Sequence, residues 1–257
     1  MAPTVLKDKL PLTSTCHHYD DLSEVPWDLQ KYWHQRYSIF QHYDYDIRLT
    51  DDAWFGVTPE PVAAQIAWDM SPRTPANDTL IDIFGGAGGN SIAFALSGKW
   101  QRVIAVEKDA ATLACAQHNA EVYGVEDGAI VWVHGDCFEF LSQLKAGGDE
   151  LDPAVRCEGD DLAETTTIFA SPPWGGVSYR DHDVFDLGQM HPYTLADLYE
   201  ACRPMEHVLF LPRTSDIRQI ARLAPEGKKI DVVQYCMEGA SKAMVAFMPP
   251  LTAANSP

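Results

Sequence analysis

The chain has 257 residues, 46% of them hydrophobic, enough for one sizeable core, and α/β folds of this length commonly stay undivided. Nineteen basic against 37 acidic residues give a formal charge of −18, which excludes a broad, unspecific grip on a phosphate backbone and leaves room only for a small pocket of cations that holds one nucleotide or one RNA end. No stretch approaches the roughly 18–20 apolar residues of a membrane span, the first residues carry no secretory apolar run, and six cysteines without a CxxC pairing suggest neither a metal site nor a disulfide framework; a soluble, intracellular protein with reduced thiols is expected.

Residues 1–22, rich in Pro, Thr and Asp without period, read as a flexible arm. In residues 24–45, Pro26 suits a first helical turn, and Trp33, Tyr37 and Phe40 fall at i, i+4 and i+7. That predicts one short aromatic helix, which either docks on the main body or walls the substrate site. From residue 58 onward strand and helix patterns alternate, so a mostly parallel sheet with helices on both faces is expected. Strands are predicted at 79–84, 102–107, 129–134, 166–170, 207–211, 230–237 and 242–248. Helices are predicted from Thr58-Pro59-Glu60 to about Trp68, and near 90–97, 109–123, 137–145, 194–202 and 215–223. Only Glu238-Gly239-Ala240-Ser241 separates the last two strands, which predicts an antiparallel hairpin. The Gly-rich, acidic stretch 146–164 reads as a flexible surface loop without chemistry.

The run Asp82-Ile83-Phe84-Gly85-Gly86-Ala87-Gly88-Gly89-Asn90 closes a strand and opens a helix, where glycines let the backbone approach a ligand. Gly85, Gly86, Gly88 and Asn90 are therefore candidate cofactor contacts. Glu107 ends the next strand, placed to accept from both hydroxyls of a ribose, and Asp136 ends the third, placed to reach an adenine amine. Each acid alone could be a cap or a solvated edge residue. Together with Asp82 they outline an adenosine-shaped pocket, and the turn GGAGGN, lacking a strict GxGxxG, favours S-adenosylmethionine over NAD.

Ser171-Pro172-Pro173-Trp174-Gly175-Gly176 follows the fourth strand, beside the position where open α/β sheets bind ligands. A planar exocyclic amine is a poor nucleophile because its lone pair is delocalised, and oxygens that accept both N–H bonds help localise that pair toward an electrophilic methyl. Two prolines remove competing donors and stiffen the chain, so the carbonyls of Ser171 and Pro172 are candidates for that task. Trp174 offers a stacking face, best suited to a positively charged base.

These motifs carry a resemblance. KYWHQRYSIF (31–40), WFGVTPE (54–60), DIFGGAGGNSIAFAL (82–96), NAEVYGV (119–125), SPPWGG (171–176), FLPR (210–213) and the closing hairpin with Lys242 resemble the catalytic domain of the trimethylguanosine synthase family. The resemblance implies a Rossmann-like class I methyltransferase: a seven-stranded, mostly parallel sheet with a C-terminal antiparallel hairpin. The units would be a flexible arm (1–22), a helical extension at the substrate site (23–57), the methyltransferase domain (58–250) and a tail (251–257). It further implies methyl transfer from S-adenosylmethionine to N2 of the 7-methylguanosine cap of small nuclear and nucleolar RNAs. Trp174 would stack on 7-methylguanine, Lys31, Tyr179, Arg213 and Lys242 would hold the cap phosphates, and Phe40 would close the cofactor pocket. Asp52, where the family pattern has Glu, would meet the guanine edge; Gly56 replaces a Ser. Capped RNA is the implied partner, with recruitment by RNP proteins, a monomeric state, no metal, and nuclear, nucleolar and cytoplasmic residence. An amino-methyltransferase for adenine or a glutamine amide shares the SPPW logic without explaining Lys31, Arg213 and Lys242. A non-catalytic cap-binding protein would not need the acids at 82, 107 and 136.

Overall fold

The computed structural model describes residues 2–147, 151–156, 161–176 and 182–251. Among these, eight strands form one sheet: β1 (Thr4–Val5), β2 (Thr79–Asp82), β3 (Arg102–Glu107), β4 (Ile130–His134), β5 (Thr166–Ala170), β6 (Glu206–Leu211), β7 (Asp231–Met237) and β8 (Ala240–Met248). Their spatial order is β1-β4-β3-β2-β5-β6-β8-β7. The five from β4 across to β6 are parallel, because a helix returns the chain between each consecutive pair. β8 runs antiparallel to β6, and β7 to β8, as the short hairpin connection requires. Glu238 and Gly239 both take positive φ at that turn, the geometry that matches strand twist in a two-residue hairpin.

The helices are α1 (Gln30–Trp33), α2 (Arg36–Ile39), α3 (Ala53–Gly56), α4 (Glu60–Asp69), α5 (Gly89–Leu96), α6 (Ala110–Val122), α7 (Cys137–Ala146), α8 (Leu162–Thr165), α9 (Leu195–Cys202) and α10 (Ile217–Ala221). Side-chain alternation along the strands splits the core in two. Leu80, Val103 and Ala105 join α4, α5 and α6 on one face; Ile81, Ile104 and Ile168 join α7 and α9 on the other. Among the described residues no helix is long and apolar enough to cross a membrane.

Three expectations about the chain's irregular parts need correction. The segment expected as a flexible arm is docked: Thr4 and Val5 pair with His134 and Val133, Leu10 N donates to Gln117 Oε1 at 2.8 Å, and Cys16 and Tyr19 are buried. An eighth strand thus covers the otherwise open edge of β4. The single aromatic helix is two one-turn helices with extended backbone at Phe40. Trp33 and Phe40 are buried, but Tyr37 is 47% exposed and lies with Trp33 against the Arg36 guanidinium, so the three rings do not share a face. Leu29, Tyr43, Ile47, Leu49 and Trp54 from this region enter the first core directly, each at most 1% exposed. In the acidic insert, Leu151 and Val155 are buried in the second core, and Arg102 donates to the carbonyls of Ala154 and Arg156, so residues 151–156 are anchored.

Candidate active site

Strand order reverses between β2 and β5: the chain moves outward on one side from β2 and on the other from β5. Asp82 lies opposite Phe169 in the ladder, so the turns after the two strands leave the sheet at one level and splay apart. A cavity of ≈ 340 Å³ opens there, lined by Gly85, Gly86 and Asn90 on one wall and by Ser171, Pro172 and Pro173 on the other. Glu107 and Asp136 line the same cavity from the ends of β3 and β4.

The glycine turn has its residue types for steric reasons. Gly86 takes φ +51°, and a Cβ on Gly85 would press at 3.4 Å on the Val106 carbonyl. Glu107 braces the turn: its Oε2 accepts from Gly86 N at 2.9 Å and its Oε1 from Asp109 N at 2.8 Å. Burial pushes its carboxyl above the ordinary value, partly offset by those amides. Asp136 caps α7, accepting from the Phe138 and Glu139 amides. Burial alone would raise its carboxyl; these amides, the Tyr193 hydroxyl and Lys108 together hold it below the ordinary value. Asn90 donates from Nδ2 to Thr58 Oγ1 at 3.0 Å, while its buried Oδ1 has no partner among the described residues. Two carboxylates, an unmatched amide oxygen and a backbone turn without side-chain bulk fit a ligand that brings hydroxyls, an amine and an ammonium group, which is the donor set of S-adenosylmethionine.

Asp82 and Gly88, expected as cofactor contacts, do not line the cavity. Asp82 is fully buried beneath it, accepting from Ser91 Oγ at 2.7 Å and Phe84 N at 3.3 Å. Gly88, at φ +94°, starts α5 where a Cβ would come within 3.3 Å of the Ala116 backbone. Both shape the turn from behind. Phe40 is also displaced: it lines a second, smaller cavity with Glu60, Trp68 and Tyr123 that shares only Gly89 with the first. Trp174 does not line the cofactor cavity either. Its ring lies parallel to Phe210, centroids 5.7 Å apart, and Nε1 donates to the Phe210 carbonyl at 3.2 Å, which fixes the ring one strand over from Ser171.

The comparisons with known proteins agree with this layout. A family model described as RNA cap guanine-N2 methyltransferase matches residues 77–251. The trimethylguanosine synthase of Schizosaccharomyces pombe is 34% identical over 225 residues, covering 87% of each chain. The chain belongs to the RNA cap guanine-N2 methyltransferase family. A second trimethylguanosine synthase, from Saccharomyces cerevisiae, is 32% identical over 199 residues, which is 76% of this chain and 58% of that one. A crystal structure from Porphyromonas gingivalis W83, assigned as a methyltransferase, superposes with a TM-score of 0.59 at 15% identity, over 88% of this chain and 51% of that chain; that likeness shows the shared fold.

In this cap methyltransferase the candidate substrate residues come from separate elements. The β6/β8 ladder ends with the pair Leu211 and Met244; Arg213 lies in the turn two residues after β6, and Lys242 lies in β8 two residues before Met244. Lys31 is exposed, its ammonium 4.7 Å from the Tyr32 ring centre, and that ring meets Phe55 edge-on, one residue before Gly56 at the cavity wall. Asp52 is exposed directly before α3, whose Ala53 and Gly56 line the cavity. Tyr179 lies outside the described residues. Residues that sequence reading passed over are Thr58, Lys108 and Tyr193, all in the cavity wall. Thr58 sits inside the WFGVTPE run; Tyr193 follows an aperiodic loop, and its one signal is that it immediately precedes the capping box of Thr194 and Asp197.

Proposed function

We propose that this chain transfers methyl groups from S-adenosylmethionine to N2 of the 7-methylguanosine cap on small nuclear and nucleolar RNA, giving 2,2,7-trimethylguanosine. The observation that carries the reading is that the SPP turn after β5 opens into the same cavity as Glu107 and Asp136, so an amine held at one wall faces a cofactor held at the other. When bound, the cofactor supplies an electrophilic methyl on a sulfonium.

The carbonyls of Ser171 and Pro172 accept the two hydrogens of the guanine amine and turn its lone pair across the cavity. Proline at 172 and 173 leaves no backbone N–H there to compete with the amine for those acceptors. Trp174, anchored on Phe210, offers a stacking face to a cationic purine, and Asp52 presents a carboxylate for the guanine edge. Methylation makes the nitrogen cationic and strongly acidic, so its surplus proton passes to water without a strong general base. Lys31, Arg213, Lys242 and Tyr179 are assigned to the cap phosphates. The same reading places a monomeric chain in the nucleus, the nucleolus and the cytoplasm, with RNP proteins delivering the RNA.

The test is incubation of the chain with S-adenosylmethionine and 7-methyl-GTP or GTP, followed by mass spectrometry. One and then two added methyls on 7-methyl-GTP, with GTP nearly unchanged, is the expected result. Unmodified 7-methyl-GTP, or equal use of GTP, overturns the reading.

A further inference from the structure

Asp136 uses its two carboxylate oxygens differently. Oδ1 is taken by the α7 amides, accepting from Phe138 N at 3.0 Å and Glu139 N at 3.2 Å. Oδ2 accepts from the Tyr193 hydroxyl at 3.2 Å and lies 3.6 Å from Lys108 Nζ. The tyrosine is itself held on both sides. Its ring stacks on Phe138 with centroids 4.4 Å apart and 25° between planes, and it tilts against Phe84 at 5.8 Å. The following residue, Thr194, is locked as the N-cap of α9 by a reciprocal pair of bonds with Asp197. Phe84, Asp136 and Tyr193 all face the cavity.

Burial, then the neighbouring Cys137 and Asp136, push the Tyr193 phenol well above its ordinary value, so it remains a donor at physiological pH. A carboxylate oxygen has two lone pairs. With one engaged by a rigid phenol, the other has a fixed direction.

Resting on the cofactor assignment above, we propose that Tyr193 is a positioning residue for the cofactor's base: it holds Asp136 Oδ2 so that its remaining lone pair meets an exocyclic N–H, and thereby selects adenine over a 6-oxo purine. A base with a carbonyl at that position sets two acceptors against each other, which a mobile carboxylate could evade and a fixed one cannot.

Calorimetry on the full chain tests this with S-adenosylhomocysteine and S-inosylhomocysteine. The unmodified chain should bind the adenine form much more tightly. Tyr193→Phe keeps the ring and should weaken S-adenosylhomocysteine about tenfold and shrink the adenine preference about fivefold or more, as misalignment of one bond between the base and the Asp136 carboxylate predicts. Affinity for 7-methyl-GTP should not move, and the ligand-free melting temperature should fall by only a few degrees, the cost of the lost Tyr193–Asp136 bond. Tyr193→Ala should weaken the adenine form further, because the wall goes with the hydroxyl. If Tyr193→Phe leaves both analogues within about twofold of the unmodified chain, or weakens both equally, the positioning role is overturned. Failure of the unmodified chain to bind S-adenosylhomocysteine would overturn the cofactor assignment and this inference with it, a result distinguishable because it precedes any substitution.

Discussion

Asp82 supports the glycine turn from behind without lining the cavity. It is fully buried, and burial raises its carboxyl from 3.8 to about 7 against the opposing bonds from Ser91 and Phe84. The folded-state value lies above the unfolded one. Below about pH 4 both states hold the proton and Asp82 costs nothing; from there to about pH 7 the unfolded chain releases a proton that the folded chain keeps, so folding loses ground. Asp82→Asn removes this titration. The melting temperature of Asp82→Asn minus that of the unmodified chain should therefore rise between pH 5 and pH 8, by about 5 °C for a domain of this size. A gap that is flat or falls with pH would show that Asp82 is not buried as a strained acid. Trp174 poses the complementary question, since its anchoring on Phe210 gives it a packing role as well as a stacking face. Trp174→Ala should reduce affinity for 7-methyl-GTP by about 30-fold or more while S-adenosylhomocysteine binding stays within about twofold, and Trp174→Phe should recover part of the cap affinity. Matched losses for both ligands in calorimetry would mean that Trp174 only packs.

At the scale of elements, the regular parts were legible from sequence and the irregular ones were not. The central strands from residue 79 on are buried on both faces and read as short apolar runs bounded by turn signals; they and the main helices form close to where the sequence places them. β1 has only two residues, too short for any period, and exists because the β4 edge needs a partner. Residues 30–45 have helical spacing but break after four residues, because Trp33 must reach the Tyr19 carbonyl and Phe40 must face Tyr123. Within the site, Glu107, Asp136 and the SPP turn were legible because they end strands. Asp82 also ends a strand yet points behind the turn, a difference of side-chain direction that sequence does not encode. β1 has a consequence for the cofactor cavity: Pro3 lies so close to Gly135, a cavity residue, that an added Cβ would stand 2.6 Å from Pro3 Cα. Gly135→Ala should lower the melting temperature by about 3–10 °C, the cost of overpacking or of pushing β1 away. In a chain lacking residues 1–6 the same substitution should cost less than about 1 °C, since nothing is left to displace. An undiminished cost in the shortened chain would place the strain elsewhere.

Across the whole molecule, a charge of −18 and a polyanionic substrate are reconciled by where the cations are spent. Among the described residues six lie beside carboxylates: Lys9 with Glu121, Arg48 with Asp46, Arg73 with Glu206, Lys108 with Asp136, Arg203 with Glu200 and Arg218 with Asp216. Lys31, Arg213 and Lys242 have no carboxylate partner among the described residues, which leaves their charge for phosphate. A net charge of −18 should make binding local. Affinity for 7-methyl-GTP should fall with salt with a log–log slope of about −2 to −3, as two or three phosphate contacts predict, whereas 7-methylguanosine should be almost indifferent. Lys31→Ala and Arg213→Ala should each flatten the 7-methyl-GTP slope by about one and leave the nucleoside unaffected. Lengthening the RNA should add nothing: at about 50 mM salt a capped 20-mer should bind within about threefold of 7-methyl-GTP, because a net charge of −18 opposes each further phosphate. Titration of labelled RNAs of increasing length decides this. A capped 20-mer that binds tenfold tighter than 7-methyl-GTP, with a steeper salt slope, would require a second basic track along the chain and would overturn the view that this enzyme reads only the end of its RNA.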